Sequence, residues 1–171
     1  IVPAAGTTHA MSGIGEAFLD GIPMLVISGG IRRDSGKSFQ LHQIEQKALV
    51  EGITKGYYLV QNHAEVIPTL YRAYDMAIQG TPGPVFVEIP SNILLFGGQV
   101  ETLPQYQKSF TNPVIDTTKI VQAAQILLNA KRPGLYVGWG ARHGTSCLIE
   151  LAETLQMPVS TTMQGISVFP L

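Results

Sequence analysis

The stretch Thr81-Pro82-Gly83-Pro84-Val85-Phe86-Val87-Glu88-Ile89-Pro90 decides the fold of the first part of this chain. Its prolines fix φ and remove backbone donors on either side of Gly83, which predicts a rigid turn. The apolar run at residues 85–89 has the length and composition of a buried strand, and Pro90 ends it. We therefore expect a buried strand that is entered and left through proline-defined turns.

The segments before this strand alternate between helical and extended patterns. Apolar residues at helical intervals predict helices, and compact apolar runs predict strands. The predicted helices cover residues 7–20, 42–50 and 64–78, and the predicted strands cover residues 24–28 and 57–60. Thr7 or Thr8 is the expected N-cap of the first helix. This alternation predicts a parallel sheet covered by helices on both faces.

A second unit follows a segment with weak periodicity. We assign residues 1–93 to a first domain, residues 94–117 to a linker and residues 118–171 to a second domain. The second domain contains a helix capped by Asp116 or Thr117, and then a strand, a helix and a strand at residues 135–137, 146–155 and 158–161. The fold class is therefore α/β, with two doubly wound parallel-sheet units, the second one Rossmann-like and partial.

Composition excludes several classes of function. Eleven basic against twelve acidic residues give a formal net charge of -1, so nothing favours binding to nucleic acid or to an anionic membrane. The apolar runs are far shorter than the roughly 20 residues that span a bilayer. The single cysteine, Cys147, excludes an intrachain disulfide and is compatible with a reducing cytoplasm. Because it lies in a predicted helix, we expect a buried, inert thiol.

Self-contained catalytic motifs are missing from the sequence. It has no Cys/His cluster with zinc spacing, no phosphate-binding Gly-x-x-x-x-Gly-Lys-Ser/Thr and no Gly-x-Ser-x-Gly elbow. Gly138-Trp139-Gly140 supplies two of the three glycines of the dinucleotide fingerprint, because His143 stands where the third would fall. Taken alone, this motif favours a structural turn over a cofactor site.

Several ordered segments together carry more information than any one motif. Residues 3–13 resemble the Ser-Gly-Pro-Gly-Ala-Thr-Asn segment of thiamine-diphosphate (ThDP) enzymes of the acetolactate-synthase type, with its apolar stretch and glycine. Phe39-Gln40 matches the Phe-Gln pair of that family. The other matching segments are residues 17–29, 53–55, 58–60 and 82–90. The resemblance identifies residues 1–93 as part of the pyrimidine-binding domain.

The second domain continues the resemblance. Residues 132–140 and 157–165 are similar to the central domain of these enzymes, which holds FAD in acetolactate synthases and is empty in many relatives. The resemblance makes FAD a candidate cofactor and implies a nucleotide-side site of Gly138, Trp139, Gly140, Thr161, Thr162 and Met163. Trp139 replaces the central glycine of the family, and its indole could stack on a ring or fill the space of a cofactor.

The same resemblance implies a ThDP-side or substrate-side site, made of Ala5, Gly6, His9, Phe39 and Gln40. Ala5 and His9 replace the family's Pro and Asn, so these contacts are expected to differ. His9 could exchange protons or simply form a hydrogen bond at the start of its helix. Gln40 offers a donor and an acceptor that suit a cofactor ring or an oxo group, and its alternative role is to anchor the loop.

The resemblance implies the chemistry of a transferase or lyase that decarboxylates or ligates 2-oxo acids with ThDP and magnesium. The activating glutamate is expected upstream of residue 1 and the diphosphate-binding domain beyond residue 171, so we assign no catalytic and no metal-binding residue here. The chain thus resembles an inactive piece of a longer cytoplasmic enzyme. A site shared between subunits implies a homodimer or tetramer.

Two other functions stay open. Oxalyl-CoA decarboxylases and 2-hydroxyacyl-CoA lyases are related enzymes, so the substrate could be an acyl-CoA instead of a 2-oxo acid. The chain could also be a non-catalytic nucleotide-binding or structural module. CoA dependence would favour the first alternative, and a bound nucleotide without turnover would favour the second.

Overall fold

The computed structural model describes residues 1–110 and 114–170. The chain divides into two compact units, Ile1–Asn112 and Pro113–Leu171. The domain and linker boundaries drawn from the sequence stay predictions. The predicted linker includes residues 111–113, and the predicted second domain includes Leu171, all of which lie outside the described residues.

The first unit is a three-stranded parallel sheet with helices on both faces. Its elements are α1 (Ala5–Leu19), β1 (Met24–Gly30), α2 (Gln46–Val50), β2 (Gly56–Leu59), α3 (Val66–Ile78), β3 (Pro84–Pro90) and α4 (Ser91–Leu95). The strand order is β1-β3-β2, and both pairings are parallel. The α/β class is confirmed, because a parallel sheet requires the helical crossovers that the alternating pattern predicts.

The proline-flanked stretch forms the central strand β3, and every residue of it is buried. Alternate residues serve opposite faces. Val85, Val87 and Ile89 join the core beneath α3, whereas Phe86 joins the core beneath α1. The Gly83 amide donates to the Ala77 carbonyl oxygen at 3.0 Å, which ties the turn to the end of α3. A strand buried on both faces explains the continuous apolar run.

Helix α1 begins earlier than the sequence predicts. Its N-cap is Ala4, with φ of 55° and no side-chain capping bond, so the assignment of the N-cap to Thr7 or Thr8 is wrong. Thr7 lies inside the helix and is fully buried, and its hydroxyl donates to the side chain of Gln46. The Thr7 hydroxyl therefore forms a tertiary hydrogen bond and does not cap the helix. The predicted helix over residues 42–50 is also shorter, since α2 begins only at Gln46.

The segment after α4 packs on the first unit although it contains no helix or strand between residues 96 and 110. Asp75 on α3 accepts hydrogen bonds from the Tyr106 hydroxyl at 2.5 Å, from the Ser109 amide at 3.1 Å and from the Ser109 hydroxyl. The Tyr106 ring also contacts Tyr71 and Tyr74. These contacts attach residues 106–109 of the predicted linker to α3.

The second unit contains α5 (Thr117–Asn129), β4 (Leu135–Val137), α6 (Thr145–Leu155) and β5 (Val159–Thr161). The Asp116 side chain accepts from the amides of Thr118 and Lys119, which confirms it as the cap of α5. Strands β4 and β5 pair in parallel, as the predicted βαβ unit requires. The expectation of a buried Cys147 is wrong, because the thiol is exposed. Position 147 falls outside the helical face that buries Ala152.

Candidate functional site

Ligands of open α/β sheets bind outside the carboxyl ends of the strands. In the first unit, the loop at residues 31–45 begins there, directly after β1. The N-terminal segment reaches the same end, since the Gly29 amide donates to the Ile1 carbonyl oxygen at 3.0 Å. A Cβ on Gly29 would lie 3.3 Å from the Pro3 ring, so glycine permits this close approach. The first turn of α1 and the loop therefore share one end of β1.

A buried amide joins the elements at this end, and we call it the Gln46 hub. Its Oε1 accepts from the Thr7 hydroxyl at 2.6 Å and from the Ser28 hydroxyl at 3.1 Å, and its Nε2 donates to the Gly29 carbonyl oxygen at 3.0 Å. Gln46 is 2% exposed, and Thr7 and Ser28 are fully buried. The hub ties α1, β1 and α2 together and satisfies its buried polar groups.

A buried carboxylate forms a second centre on the same face of the sheet, which we call the Glu88 hub. Glu88 is 3% exposed, and its register partner on β1 is Ser28. It accepts from the Arg33 guanidinium at 3.1 Å and from the Tyr57 hydroxyl at 2.5 Å. Burial and the adjacent carboxylate raise the pKa of Tyr57 far above its usual range, so this hydroxyl stays a proton donor.

Sequence reasoning missed both hubs. The available signal was a polar residue at a position that the periodicity assigns to the core, namely Ser28 and Glu88 in strands and Thr7 in a helix. Buried polar residues need partners, so such positions indicate an internal hydrogen-bond network. The identity of the partners could not be read from the sequence, because Arg33 and Glu88 are 55 residues apart.

The predicted residues of α1 lie at its first turns. Ala5 is exposed and begins the helix, and Gly6 packs against Val2, whose Cβ would be 3.1 Å from a Cβ on the glycine. His9 is exposed, and its Nδ1 lies 2.8 Å from the Ala5 carbonyl oxygen. A carbonyl only accepts, so this contact makes Nδ1 the donor and leaves Nε2 as the nitrogen that could face a ligand.

Phe39 and Gln40 lie in the loop that follows β1. Phe39 has φ of 58°, and its ring is 97% exposed. The Gln40 side-chain nitrogen Nε2 donates to the carbonyl oxygens of Arg32 at 2.7 Å and Lys37 at 3.2 Å. Its two donors thus hold the loop, which leaves the acceptor Oε1 for any ligand. Contact of either residue with a cofactor stays a prediction.

The second unit brings its six predicted residues to one edge. Gly138, Trp139 and Gly140 follow β4, and Thr161, Thr162 and Met163 end or follow β5. The Thr162 amide donates to the Val137 carbonyl oxygen at 2.9 Å, which joins the two segments. A Cβ on Gly165 would lie 2.5 Å from that same oxygen, so the bend after β5 packs closely on the end of β4.

Two observations suit this edge to a nucleotide. The Trp139 ring is 45% exposed, and the Arg142 guanidinium lies 5.4 Å from its centre, which pairs a stacking surface with a cation. No atom lies within 4 Å of a Cβ position on Gly140, so the backbone is open to an approaching group. The residues present therefore fit a flat ring that carries phosphate.

In the described part of the chain, neither a metal cluster nor a membrane span accompanies these edges. Across residues 1–110 and 114–170, no group of three or more His, Cys, Asp or Glu side chains could hold a metal ion. Over the same described ranges, no helix has both the length and the apolar character needed to cross a membrane.

Comparison with known proteins identifies relatives of both units. Residues 120–171 match the family described as "Thiamine pyrophosphate enzyme, central domain". The acetolactate synthase isozyme 1 large subunit of Escherichia coli is 30% identical over 165 residues, which is 96% of this chain and 29% of the relative. The acetolactate synthase large subunit of Haemophilus influenzae is 30% identical over 99% of this chain and 31% of its own length.

A plant relative shows the same pattern. The chloroplastic acetolactate synthase of Arabidopsis thaliana is 28% identical over 96% of this chain and 25% of its own length. The chain therefore spans less than a third of each of these relatives, and the similarity runs through both units. The chain is therefore similar through both units to ThDP-dependent enzymes of the acetolactate-synthase type, as its ordered segments predicted.

Proposed function

We propose that this chain is part of an enzyme that uses ThDP to decarboxylate and ligate 2-oxo acids. The observation that carries the proposal is similarity to acetolactate synthase large subunits over at least 96% of the chain. The first unit supports it, because the first turn of α1 and the loop at residues 31–45 meet at the carboxyl end of β1. Such an edge is where the fold places ligands.

When bound, ThDP would supply the electron sink for the reaction. This chain would contribute binding and orientation. Gln40 would present Oε1 as an acceptor, because its amide nitrogen already holds the loop. His9 would present Nε2, because Nδ1 is engaged by a backbone carbonyl. Ala5 and Gly6 would form the wall at the helix start, and Phe39 would offer an exposed ring.

Magnesium, the activating glutamate and a subunit partner belong to the same proposal. We place the first two outside the residues described here, and we expect a homodimer or tetramer whose site is shared between subunits. The single cysteine supports a reducing, cytoplasmic compartment.

FAD is the proposed ligand of the second unit. The exposed Trp139 ring would stack on a flat part of the cofactor, and Arg142 beside it would meet a phosphate. Replacing Trp139 by Ala should remove most flavin absorbance from the purified protein, whereas replacing the exposed Tyr136 by Ala should retain it. Equal flavin content in both variants would exclude this site.

The test of the main proposal measures acetolactate formed from pyruvate by the intact protein with ThDP and magnesium. We expect turnover that does not require CoA. Turnover that depends on an acyl-CoA would replace the 2-oxo acid by that substrate, and a protein that binds nucleotide but lacks both activities would be a binding module.

Gln40 provides the residue-level test. Gln40→Ala removes the acceptor Oε1 together with the donors to the Arg32 and Lys37 carbonyl oxygens. If Oε1 contacts the ligand, the Ala variant should lower kcat/KM. Gln99→Ala, an exposed glutamine of the same unit, is the matched control and should leave kcat/KM unchanged.

A further inference from the structure

The loop at residues 31–45 leaves β1 at Gly30 and carries Phe39 and Gln40. Its first arm is attached to the rest of the unit by Arg33 and by the Arg32 guanidinium, which lies 4.8 Å from the centre of the Phe96 ring. The Arg33 amide donates to Asn92 Oδ1 at 3.1 Å, and the Arg33 guanidinium donates to Glu88 Oε1 at 3.1 Å. Arg33 is therefore where both backbone and side chain of this arm reach the rest of the unit.

Glu88 is an unusual residue for its position. It lies in the fully buried central strand, between Val87 and Ile89, where an apolar side chain would fill the space at less cost. A buried carboxylate is tolerated only with partners, and here these are Tyr57 and Arg33. The strand thus retains a charge that packing alone does not require.

The Glu88 side chain points to the edge where the loop begins. A Cβ on Gly30, the last residue of β1, would lie 2.5 Å from Glu88 Oε1, so only glycine leaves room for the carboxylate there. The Arg33 side chain is 45% exposed, whereas that of Glu88 is 4% exposed. The ion pair therefore joins a rigid, buried acceptor to a residue of the exposed loop.

The connection continues from Arg33 to Gln40. Gln40 Nε2 donates to the carbonyl oxygen of Arg32, the residue next to Arg33. The Gln40 backbone amide donates to Gln43 Oε1 at 2.8 Å, and the Gln43 backbone amide donates back to the Gln40 carbonyl oxygen at 3.1 Å. The contacts of Arg33 are therefore connected, through the backbone of Arg32, to the segment that carries Gln40.

We propose that Glu88 is a positioning residue, which holds the loop at residues 31–45 through Arg33 and so orients Gln40 toward the ligand edge. The anchoring stands on the contacts above. The consequence for a ligand rests on the proposed function.

Amide hydrogen exchange of the intact protein, read by mass spectrometry, tests the anchoring. Glu88→Gln removes the charge, and we expect amides of residues 33–43 to exchange about tenfold faster, since a hydrogen bond to a charged group is lost. Arg33→Met should do the same from the other side of the ion pair, and Glu88 keeps its hydrogen bond from the Tyr57 hydroxyl in that variant. Arg33→Lys keeps a cation and should restore part of the protection.

Asp75→Asn is the matched control. Asp75 is also a buried carboxylate that accepts from a tyrosine hydroxyl, but it holds residues 106–109 and not the loop. It should leave exchange of residues 33–43 unchanged. The proposal is overturned if Glu88→Gln and Arg33→Met leave loop exchange unaltered, or if Asp75→Asn accelerates it equally.

Kinetics test the consequence for the ligand. In a protein that turns over pyruvate, Glu88→Gln and Arg33→Met should each lower kcat/KM about tenfold, Arg33→Lys should recover part of it, and Asp75→Asn should stay within about twofold. Unchanged kinetics in a variant whose loop exchanges faster would refute the orientation of Gln40. Absence of pyruvate turnover in the unaltered protein would refute the proposed function, and hydrogen exchange would still decide the anchoring.

Discussion

Substitution of Gln46 tests whether the Gln46 hub stabilises the first unit. Gln46→Ala leaves the fully buried Thr7 hydroxyl without its 2.6 Å acceptor and with only a 3.4 Å contact to the Ser28 hydroxyl, and a buried polar group that loses its partner costs about 1–3 kcal/mol. The Ser28 hydroxyl keeps its contact with the Gly29 carbonyl oxygen at 3.0 Å, so it loses less. Truncating the side chain adds about 0.8 kcal/mol for each buried methylene. We expect a total loss of about 3 kcal/mol.

Two further variants separate hydrogen bonding from packing. Gln46→Met preserves volume but removes the acceptor, so the Thr7 hydroxyl keeps only its 3.4 Å contact with the Ser28 hydroxyl and the variant should be destabilised by about 2 kcal/mol. Adding Thr7→Val to Gln46→Met replaces the Thr7 hydroxyl, the other partner of the hydrogen bond, by an apolar group of the same shape. The double variant should therefore be more stable than Gln46→Met alone, because no hydroxyl remains unpaired.

The assay is denaturant-dependent hydrogen exchange, read on peptides from α1 and β1 so that the first unit is followed by itself. Gln99→Ala, an exposed glutamine, should change stability by less than about 0.5 kcal/mol. The reasoning fails if Gln46→Ala costs less than about 1 kcal/mol, or if the double variant is destabilised by the sum of the two single effects.

Three further predictions concern other parts of the chain. Hydrogen bonds from the Ser109 and Tyr106 hydroxyls lower the pKa of Asp75. The stabilising contribution of Asp75 is therefore present above about pH 4 and is lost as the pH falls through the lowered pKa. Asp75→Asn should make the free energy of unfolding less dependent on pH in this acid range. Gly165→Ala should destabilise the second unit by about 1–3 kcal/mol in denaturation, whereas Gly140→Ala should not, because only the first adds a Cβ against backbone; equal effects would contradict this. Cys147 should react with a thiol reagent in the folded protein at a rate near that of the unfolded chain, and strong protection would contradict its exposure.

The architecture could be predicted because its determinants are local. The helical period of residues 66–78, the apolar run of residues 85–89 and the prolines around Gly83 each act within one or two turns of chain. Cap and exposure assignments were less successful. Thr7 is a residue type that favours an N-cap but forms a buried tertiary hydrogen bond, and Cys147 lies outside the face of α6 that buries Ala152.

The candidate site could be located from the sequence only through its ordered resemblance to a family, and its internal connections could not. Loop residues such as Phe39 and Gln40 have no periodicity that would report their surroundings. The structure shows that the donors of Gln40 hold the loop, which limits it to an acceptor role toward a ligand. That limit depends on backbone carbonyls whose direction no pattern of residue types encodes.

The sequence by itself determined the α/β class and the parallel sheet, because hydrophobic periodicity and turn residues act over short distances along the chain. The resemblance to a family came from the order of its matching segments. Tertiary structure alone decided which polar residues are buried together. Thr7 and Gln46 are 39 residues apart, and Arg33 and Glu88 are 55 residues apart, yet both pairs meet at the carboxyl end of one sheet. A buried polar group must find a partner wherever the fold brings one, so only the folded chain shows which residues hold the carboxyl end of the sheet in place.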